Sequence, residues 1–464
     1  MRRAAAFVLA LSTLWGGCSF TTATGFQECN NDTECGAAQV CLKRYCIPLP
    51  PGCRRDFGDF TSADHAVLAA ALPLTDSLDG GVADDSETAG LDAFRLAVGE
   101  ANEKQGLNGR RFALYVCNTT GSEDLVRSQS AWLARELGAP AIFTSGSSQT
   151  IAAAVATEDA GAPALMSATA TSPDLIGVFQ GQHQRVWRVA PPDTLQARVI
   201  SDLFAADGGV APGANVAVLY EKKAYGEGLS GALRDRLAPR LQVTIVPFDR
   251  GGDINVPVDR VNTLAPAVTI VVAFPPDIRR IVERARLAAP NLSAVKNHRW
   301  FFTDSAKDPA ILQGTLDVLA GTMGTAPAQN AGPTFGGFQP NFVQKFGFDP
   351  QTFSYTSHSY DAMYLVLLAS AYADGHGGLS GARLTEGLKL LSVQGAPEVK
   401  LLPENYILGT TAMRGASPAL NVVGASGDLD FDVDAGAPSS KYEIWQVLPD
   451  AGFATLKLVA PSGT

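Results

Sequence analysis

Two short stretches hold the residue types best suited to gripping a small molecule. Thr144-Ser145-Gly146-Ser147-Ser148-Gln149 and Ser167-Ala168-Thr169-Ala170-Thr171-Ser172-Pro173 each follow an apolar run, and each crowds hydroxyls and backbone amides into a few positions. Neither contains lysine or arginine. Neutral donors packed this closely suit a small anion such as a carboxylate, and a neutral sugar could also accept them. For the second stretch, a helix cap ahead of Pro173 is the plain structural alternative. A third stretch, Gly226-Glu227-Gly228-Leu229-Ser230-Gly231, fits Gly-x-Gly-x-x-Gly, with Asp249 placed where a ribose-binding acid would stand. Dinucleotide binding is nevertheless disfavoured. Glu221 to Tyr225 separate the preceding strand from the glycines, and Glu227 would face the phosphates. Asp428 to Asp434 alternates acids with apolar residues. It reads as a strand with one wet acidic face, because a calcium loop would need a downstream glutamate. His-Glu-x-x-His and Gly-x-Ser-x-Gly are both missing from the sequence, so nothing pairs a nucleophile with a base. No catalytic residue, metal or cofactor is expected.

The elements that must position these loops alternate along the chain. Phe112 to Val116, Ala141 to Phe143 and Ala164 to Met166 are short apolar runs; Asp124 to Leu137 and Thr150 to Ala160 between them have helical spacing. A second series runs through Val216 to Tyr220, a helix from Gly228 to Leu237, Val243 to Val246, Val268 to Phe274, a helix from Ile278 to Leu287, and Trp300 to Phe302. Continuous apolar strands separated by amphipathic helices indicate parallel sheets covered on both faces. Two series imply two doubly wound α/β lobes. Ahead of them, Leu91, Phe94, Val98 and Ala101 mark one helix face docking on the first sheet. In such sheets ligands bind beyond the carboxyl ends of the strands, where both donor-rich loops fall.

The 464 residues exceed what one core accommodates. An apolar fraction of 46% and a charged fraction of 18% describe a globular chain. With 36 basic and 46 acidic side chains, the net charge is −10 and no basic cluster exists, which argues against nucleic acid as a partner. Arg2, Arg3, the apolar run Ala4 to Trp15 and Gly16-Gly17-Cys18 read as an export signal over residues 1–17. Cys18 resembles a lipobox cysteine, which would anchor the exported protein to a membrane of the cell envelope through a lipid; a plain signal peptide is the alternative. Residues 18–60 read as a lipidated cysteine-rich head and linker. Within it Cys29, Cys35, Cys41 and Cys46 occupy a piece too short for its own core, so disulfides are expected, with three pairings open. Zinc is the competing reading, but no Cys-x-x-Cys or histidine is nearby. Pro48 to Gly52 reads as a stiff connector. Cys53 and Cys117 either bridge the linker to the main body or remain thiols.

From about His65 onward the chain resembles the type I periplasmic solute-binding proteins of the leucine/isoleucine/valine-binding branch. The matching stretches are Ala89 to Phe94 with Leu107 to Arg110, Ser145 to Ser148, Ser167 to Pro173, Arg188 to Pro191, Val218 to Tyr220 with Ala224 to Leu229, Tyr360 to Tyr364, and Gly427 to Phe431 with Tyr442 to Val447. The resemblance implies two lobes joined by three hinge crossovers, near Ala190, Thr325 and Gly436. Lobe 1 would take residues 61–190 and 326–436, and lobe 2 residues 191–325 and 437–464. It also implies capture of an amino acid by hinge closure, for an ABC permease or for a sensor. Ser148 and Thr171 would then hold the ligand's carboxylate, helped by backbone amides, with Ser147 beside them as a further ligand-binding residue; the Thr169 carbonyl and Asp304 would hold its ammonium, and Tyr225 and Phe274 would cap it. An envelope protein with a structural role is the alternative from another class. The loop Leu72 to Asp79 departs from the family by lacking glycine-proline and carrying two acids, and Pro397 to Val423 has no assignment.

Overall fold

The computed structural model describes residues 27–206, 209–289, 292–432 and 434–461. The expected leader and the lipidation candidate Cys18 lie outside the described residues. The cysteine-rich head is a hairpin of β1 (Gln39–Leu42) and β2 (Tyr45–Pro48). Disulfides Cys29–Cys41 and Cys35–Cys46 cross it, which selects one of the three possible pairings. The Arg55 guanidinium donates to the carbonyls of Asp32, Cys35 and Gly36, fastening the head to the body.

Lobe 1 begins earlier than the linker reading implies. Strand β3 (Cys53–Gly58) joins its sheet antiparallel to β5 (Phe112–Asn118), with Cys53 opposite Cys117 and the two joined by a disulfide. The lobe continues through β4 (Ala66–Leu72), α1 (Asp85–Glu103), β5 (Phe112–Asn118), α2 (Glu123–Arg135), β6 (Ala141–Thr144), α3 (Ser147–Ala156), β7 (Ala164–Ser167), α4 (Asp174–Gly181) and β8 (Val186–Arg188). Its strand order is β3-β5-β4-β6-β7-β8, parallel apart from β3. Strands β5, β6 and β7 are buried at every position, which is why they read as unbroken apolar runs rather than as alternating ones. Leu91, Phe94, Val98 and Ala101 are all buried, as their spacing on α1 requires.

The chain then crosses to lobe 2. This comprises α5 (Asp193–Ala205), β9 (Asn215–Glu221), α6 (Ala224–Leu237), β10 (Gln242–Phe248), α7 (Asn255–Leu264), β11 (Val268–Val272), α8 (Pro275–Ala288), α9 (Leu292–Asn297), β12 (Trp300–Phe302), α10 (Leu316–Leu319) and β13 (Met323–Pro327). A second crossing returns it to lobe 1 as α11 (Phe335–Phe346), α12 (Thr356–Gly375), α13 (Gly381–Lys389), β14 (Glu398–Lys400), α14 (Tyr406–Arg414), β15 (Asn421–Val423), β16 (Phe431–Asp432) and β17 (Ala437–Pro438). A third delivers β18 (Tyr442–Val447) and β19 (Phe453–Val459) to the lobe 2 sheet, whose order is β10-β9-β11-β12-β13-β18-β19.

The stretch without a sequence assignment supplies the parallel pair β14 and β15 and, between them, α14. Gly409 of α14 lies against Leu368 of the buried α12, where an added Cβ would stand 2.9 Å from that side chain. The acidic alternation forms less strand than expected. Leu429 and Phe431 do turn inward and Asp428 and Asp430 outward. Ladder pairing covers only Phe431 and Asp432, opposite Pro438 and Ala437, with Asp428 making an isolated bridge to Val423. The Gly-x-Gly-x-x-Gly stretch lies within α6 rather than in a strand-to-helix turn.

Candidate functional site

The two lobes face each other across a cavity with about 740 Å³ of empty space, open solvent at its mouth included. On the lobe 1 side, β6 ends at Thr144 and the chain turns through Ser145 and Gly146 into α3. Gly146 is the N-cap with φ +69°, a left-handed conformation that suits glycine, and no side chain caps the helix. The first amides of α3 are therefore left for something in the cavity, and the helix dipole favours an anion there. Thr169 closes this wall. Its hydroxyl accepts from Gly146 N at 2.8 Å and lies 3.0 Å from the Ser145 hydroxyl.

The hydroxyl-rich stretch after β7 is partly consumed by its own structure. Ser147 Oγ accepts from the amides of Thr171 and Ser172 at 3.2 and 3.1 Å, and Ser167 Oγ accepts from Ala170 N at 3.1 Å. Ser147 and Thr169 line the cavity; Thr171 lies buried behind them, its carbonyl accepting from Asp193 N at 2.9 Å. Ser148 is not part of the lining either. Its hydroxyl accepts from Ala224 N, at the start of α6 on the other lobe, at 3.2 Å.

Lobe 2 contributes Tyr225 at the start of α6, Phe274 before α8 and Asp304 after β12. The Tyr225 and Phe274 rings are 5.7 Å apart and form one aromatic wall. Asp304 is buried and held from two sides. Tyr225 donates to Oδ1 at 2.7 Å and Tyr355 to Oδ2, while Ser354 Oγ donates to the Asp304 carbonyl at 2.8 Å. Burial pushes the Asp304 carboxyl up from the ordinary range, and the two tyrosine hydroxyls oppose that shift. Gln196 and the residue's own backbone amide add to the donors around this carboxyl. Thus Ser147, Thr169, Tyr225, Phe274 and Asp304 meet around one space, and Ser148 and Thr171 sit just outside it.

Sequence reasoning missed Tyr355, Glu87, Asp84, Arg250 and Asp308, all of which line the cavity. Tyr355 enters from lobe 1 at the N-cap of α12, with φ +71°. Glu87 lies in the first turn of α1, where it accepts from the Ser145 hydroxyl. Burial, aided by the neighbouring Asp84 charge, pushes Glu87 up to about 8 against the opposing Ser145 hydroxyl and Arg250. Burial likewise pushes Asp308 up to about 7, with Asp84 and Asp85 adding to the shift. The acidic loop noted as a departure, Leu72 to Asp79, leads directly into this corner.

The lobes are shut. Besides the Ser148–Ala224 bond and the Tyr355–Asp304 contact, Lys223 Nζ of lobe 2 pairs with Glu123 of α2 at 2.7 Å. Gly228 of α6 meets the loop after β7 so closely that a Cβ there would stand 2.7 Å from Pro173 Cδ and 2.8 Å from Ser172 Oγ. Of the three pattern glycines, Gly228 alone serves this approach between lobes; Gly226 packs on the Glu221 backbone of its own lobe and Gly231 faces open space.

Two doubly wound lobes closed over a polar cavity define a bilobal ligand-binding protein. The chain belongs to the family described as the receptor family ligand binding region, which matches residues 89–450. It is 28% identical over 376 residues to the chemotactic signal transduction system substrate-binding protein BasB of Halobacterium salinarum, covering 79% of this chain and 84% of that one. Among solved structures it resembles the leucine binding protein LivK of Thermotoga maritima at 18% identity, with a TM-score of 0.68 over 86% of this chain and 100% of that one. A fatty acid ABC transporter substrate-binding protein from Thermomonospora curvata gives the same TM-score at 15% identity, covering 88% of this chain and 96% of that one. The shared fold therefore does not fix the ligand, and the side chains of the cavity must.

Proposed function

We propose that this protein is an extracytoplasmic solute-binding protein whose lobes close on a small amino-acid-like ligand. The observation that carries this reading is the pairing of poles across one cavity, the uncapped first turn of α3 on one wall and the Asp304 carboxylate on the other. An α-carboxylate suits the α3 amides and the Thr169 hydroxyl; an ammonium suits Asp304; Tyr225 and Phe274 cover the ligand from lobe 2. Ser147 belongs to the lining and Thr171 supports it from behind, while Ser148 latches the lobes. A ligand touching both walls stabilises the shut state by the contacts made only there. Three disulfides fit an oxidising compartment, and among the described residues no helix is long and apolar enough to cross a membrane. Export by residues 1–17 and lipid anchoring at Cys18 complete the reading. The BasB relative, by its name part of a chemotactic system, favours a second version in which occupancy is reported to a sensory partner rather than to an ABC permease.

Calorimetric titration of the protein with a panel of amino acids tests this. At least one is expected to bind with roughly micromolar affinity. Asp304→Asn is expected to weaken that binding tenfold or more, on the order of 1.4 kcal/mol. A panel in which no zwitterion gives heat or a melting shift would leave the cleft without this role. Gly228→Ala separates closure from contact, since it adds a methyl only where α6 meets Pro173 and Ser172. It is expected to lower affinity roughly tenfold through overpacking of the shut state, while the melting temperature of the free protein holds or rises with the better helix former. Unchanged affinity in this variant would show that binding does not need the observed closure.

A further inference from the structure

The cavity's charges are unbalanced in a way that bears on which ligand it takes. Asp84, Glu87, Asp304 and Asp308 all face it, and among the described residues none of the four makes an ion pair. Of the two cations in the lining, Lys307 has a carboxylate of its own, and Arg250 is shared among Glu221, Asp84 and Glu87. Lys307 pairs with Glu443, and Arg250 lies 3.9 Å from the buried Glu221, with its guanidinium 4.7 Å over the Phe274 ring. Asp308 is the most telling of the acids. It is only 6% exposed and accepts Ala310 N with one oxygen at 2.7 Å, and its other oxygen has no partner among the described residues. That second oxygen is not sealed into the interior, so it is open to a donor in the cavity. Asp84 and Glu87 belong to lobe 1 and Asp308 to lobe 2, so shutting the lobes brings like charges together. A cation placed between them would reverse the sign of that contact and couple closure to its own arrival.

We infer that the preferred ligand carries a second positive charge, an amine or guanidine at the far end of an amino-acid-like molecule, seated between Asp84 and Glu87 of lobe 1 and Asp308 of lobe 2. The inference rests on the cleft being the ligand site proposed above, and it names the ligand class for that site. Burial and the neighbouring acids push the Glu87 and Asp308 carboxyls up, to about 8 and about 7, and a cation seated between them favours their charged forms.

The test compares ligands of equal reach and different charge. Lysine, ornithine and arginine are titrated calorimetrically beside norleucine, leucine and glutamate. Lysine is expected to bind at least tenfold more tightly than norleucine, its uncharged counterpart. In Asp308→Asn, and separately in Glu87→Gln, the lysine-to-norleucine ratio is expected to fall toward one; two independent variants guard against one that misfolds. Norleucine or leucine binding as tightly as lysine would overturn the inference while leaving the cleft a ligand site, and so would a preference for glutamate. Failure of every ligand in the panel would overturn both.

Discussion

Lys307→Met is expected to destabilise the protein by about 3–5 kcal/mol, the cost of leaving one member of a buried ion pair alone. Lys307 and Glu443 are each 3% exposed, and their charged ends are in direct contact. Glu443 lies on β18, the strand that the third crossing brings back to lobe 2, and its other oxygen accepts from Thr455 on β19 at 2.6 Å. Removing the ammonium leaves a carboxylate in the protein interior with a single hydroxyl for company. The double variant Lys307→Met/Glu443→Gln is expected to recover most of the loss, because buried pairs replaced on both sides are often near neutral. Urea denaturation of the three proteins measures both effects. A single variant within 1 kcal/mol of the parent would mean that water or the backbone solvates Glu443, and that the pair does not hold β18 beside the site.

The contrast between the parts that the sequence reveals and those it hides follows from how local each feature is. Strands such as Phe112–Asn118 and Ala141–Thr144 are buried on both faces, so their apolar runs announce them. The donor loops are equally legible, because a strand that ends in small hydroxyl residues ahead of a helix is a local pattern. Which hydroxyl reaches the cavity is not local. Gly146 sets the direction in which α3 leaves the strand, and a change of one position along a helix turns a side chain by about 100°. Ser147 and Ser148 thus go to different tasks, and likewise Thr169 faces the cavity whereas Thr171 lies behind it.

Tyr355 stands 51 residues from the Asp304 carboxylate that it holds, with α11 in between. No spacing rule reaches across that distance. The acids Asp84 and Glu87 look like ordinary helix-starting residues, and Asp84 does cap α1 by accepting from Glu87 N at 3.0 Å. Only the neighbouring lobe gives them a second meaning. The family resemblance carried the general position of the site, but none of the stretches that carry it includes these residues.

Removing the Cys53–Cys117 disulfide, as Cys53→Ala/Cys117→Ala, is expected to cost about 4 kcal/mol, from the loop-closure entropy of a crosslink between residues 64 apart. Chain entropy is only part of the reason to expect a large loss. Strand β3 is an antiparallel edge added to a parallel sheet, and it also carries Arg55, which holds the head. Cys117 is one residue from the end of β5. Asn118, the next residue, accepts from Leu74 N at 3.0 Å, and Thr119 donates to Gln149 of α3. The crosslink therefore lies one step from the loops that support the lobe 1 wall of the cavity. The matching double variant of Cys29 and Cys41 is expected to loosen the head while leaving the main urea transition of the lobes in place, because the head packs on the sheet without contributing a strand to it. Urea midpoints of both double variants, followed by tryptophan fluorescence of the lobes, make the comparison. If the Cys53/Cys117 variant unfolds within 1 kcal/mol of the parent, the crosslink has no part in holding the lobe 1 sheet, and β3 would have to be bound by its ladder alone.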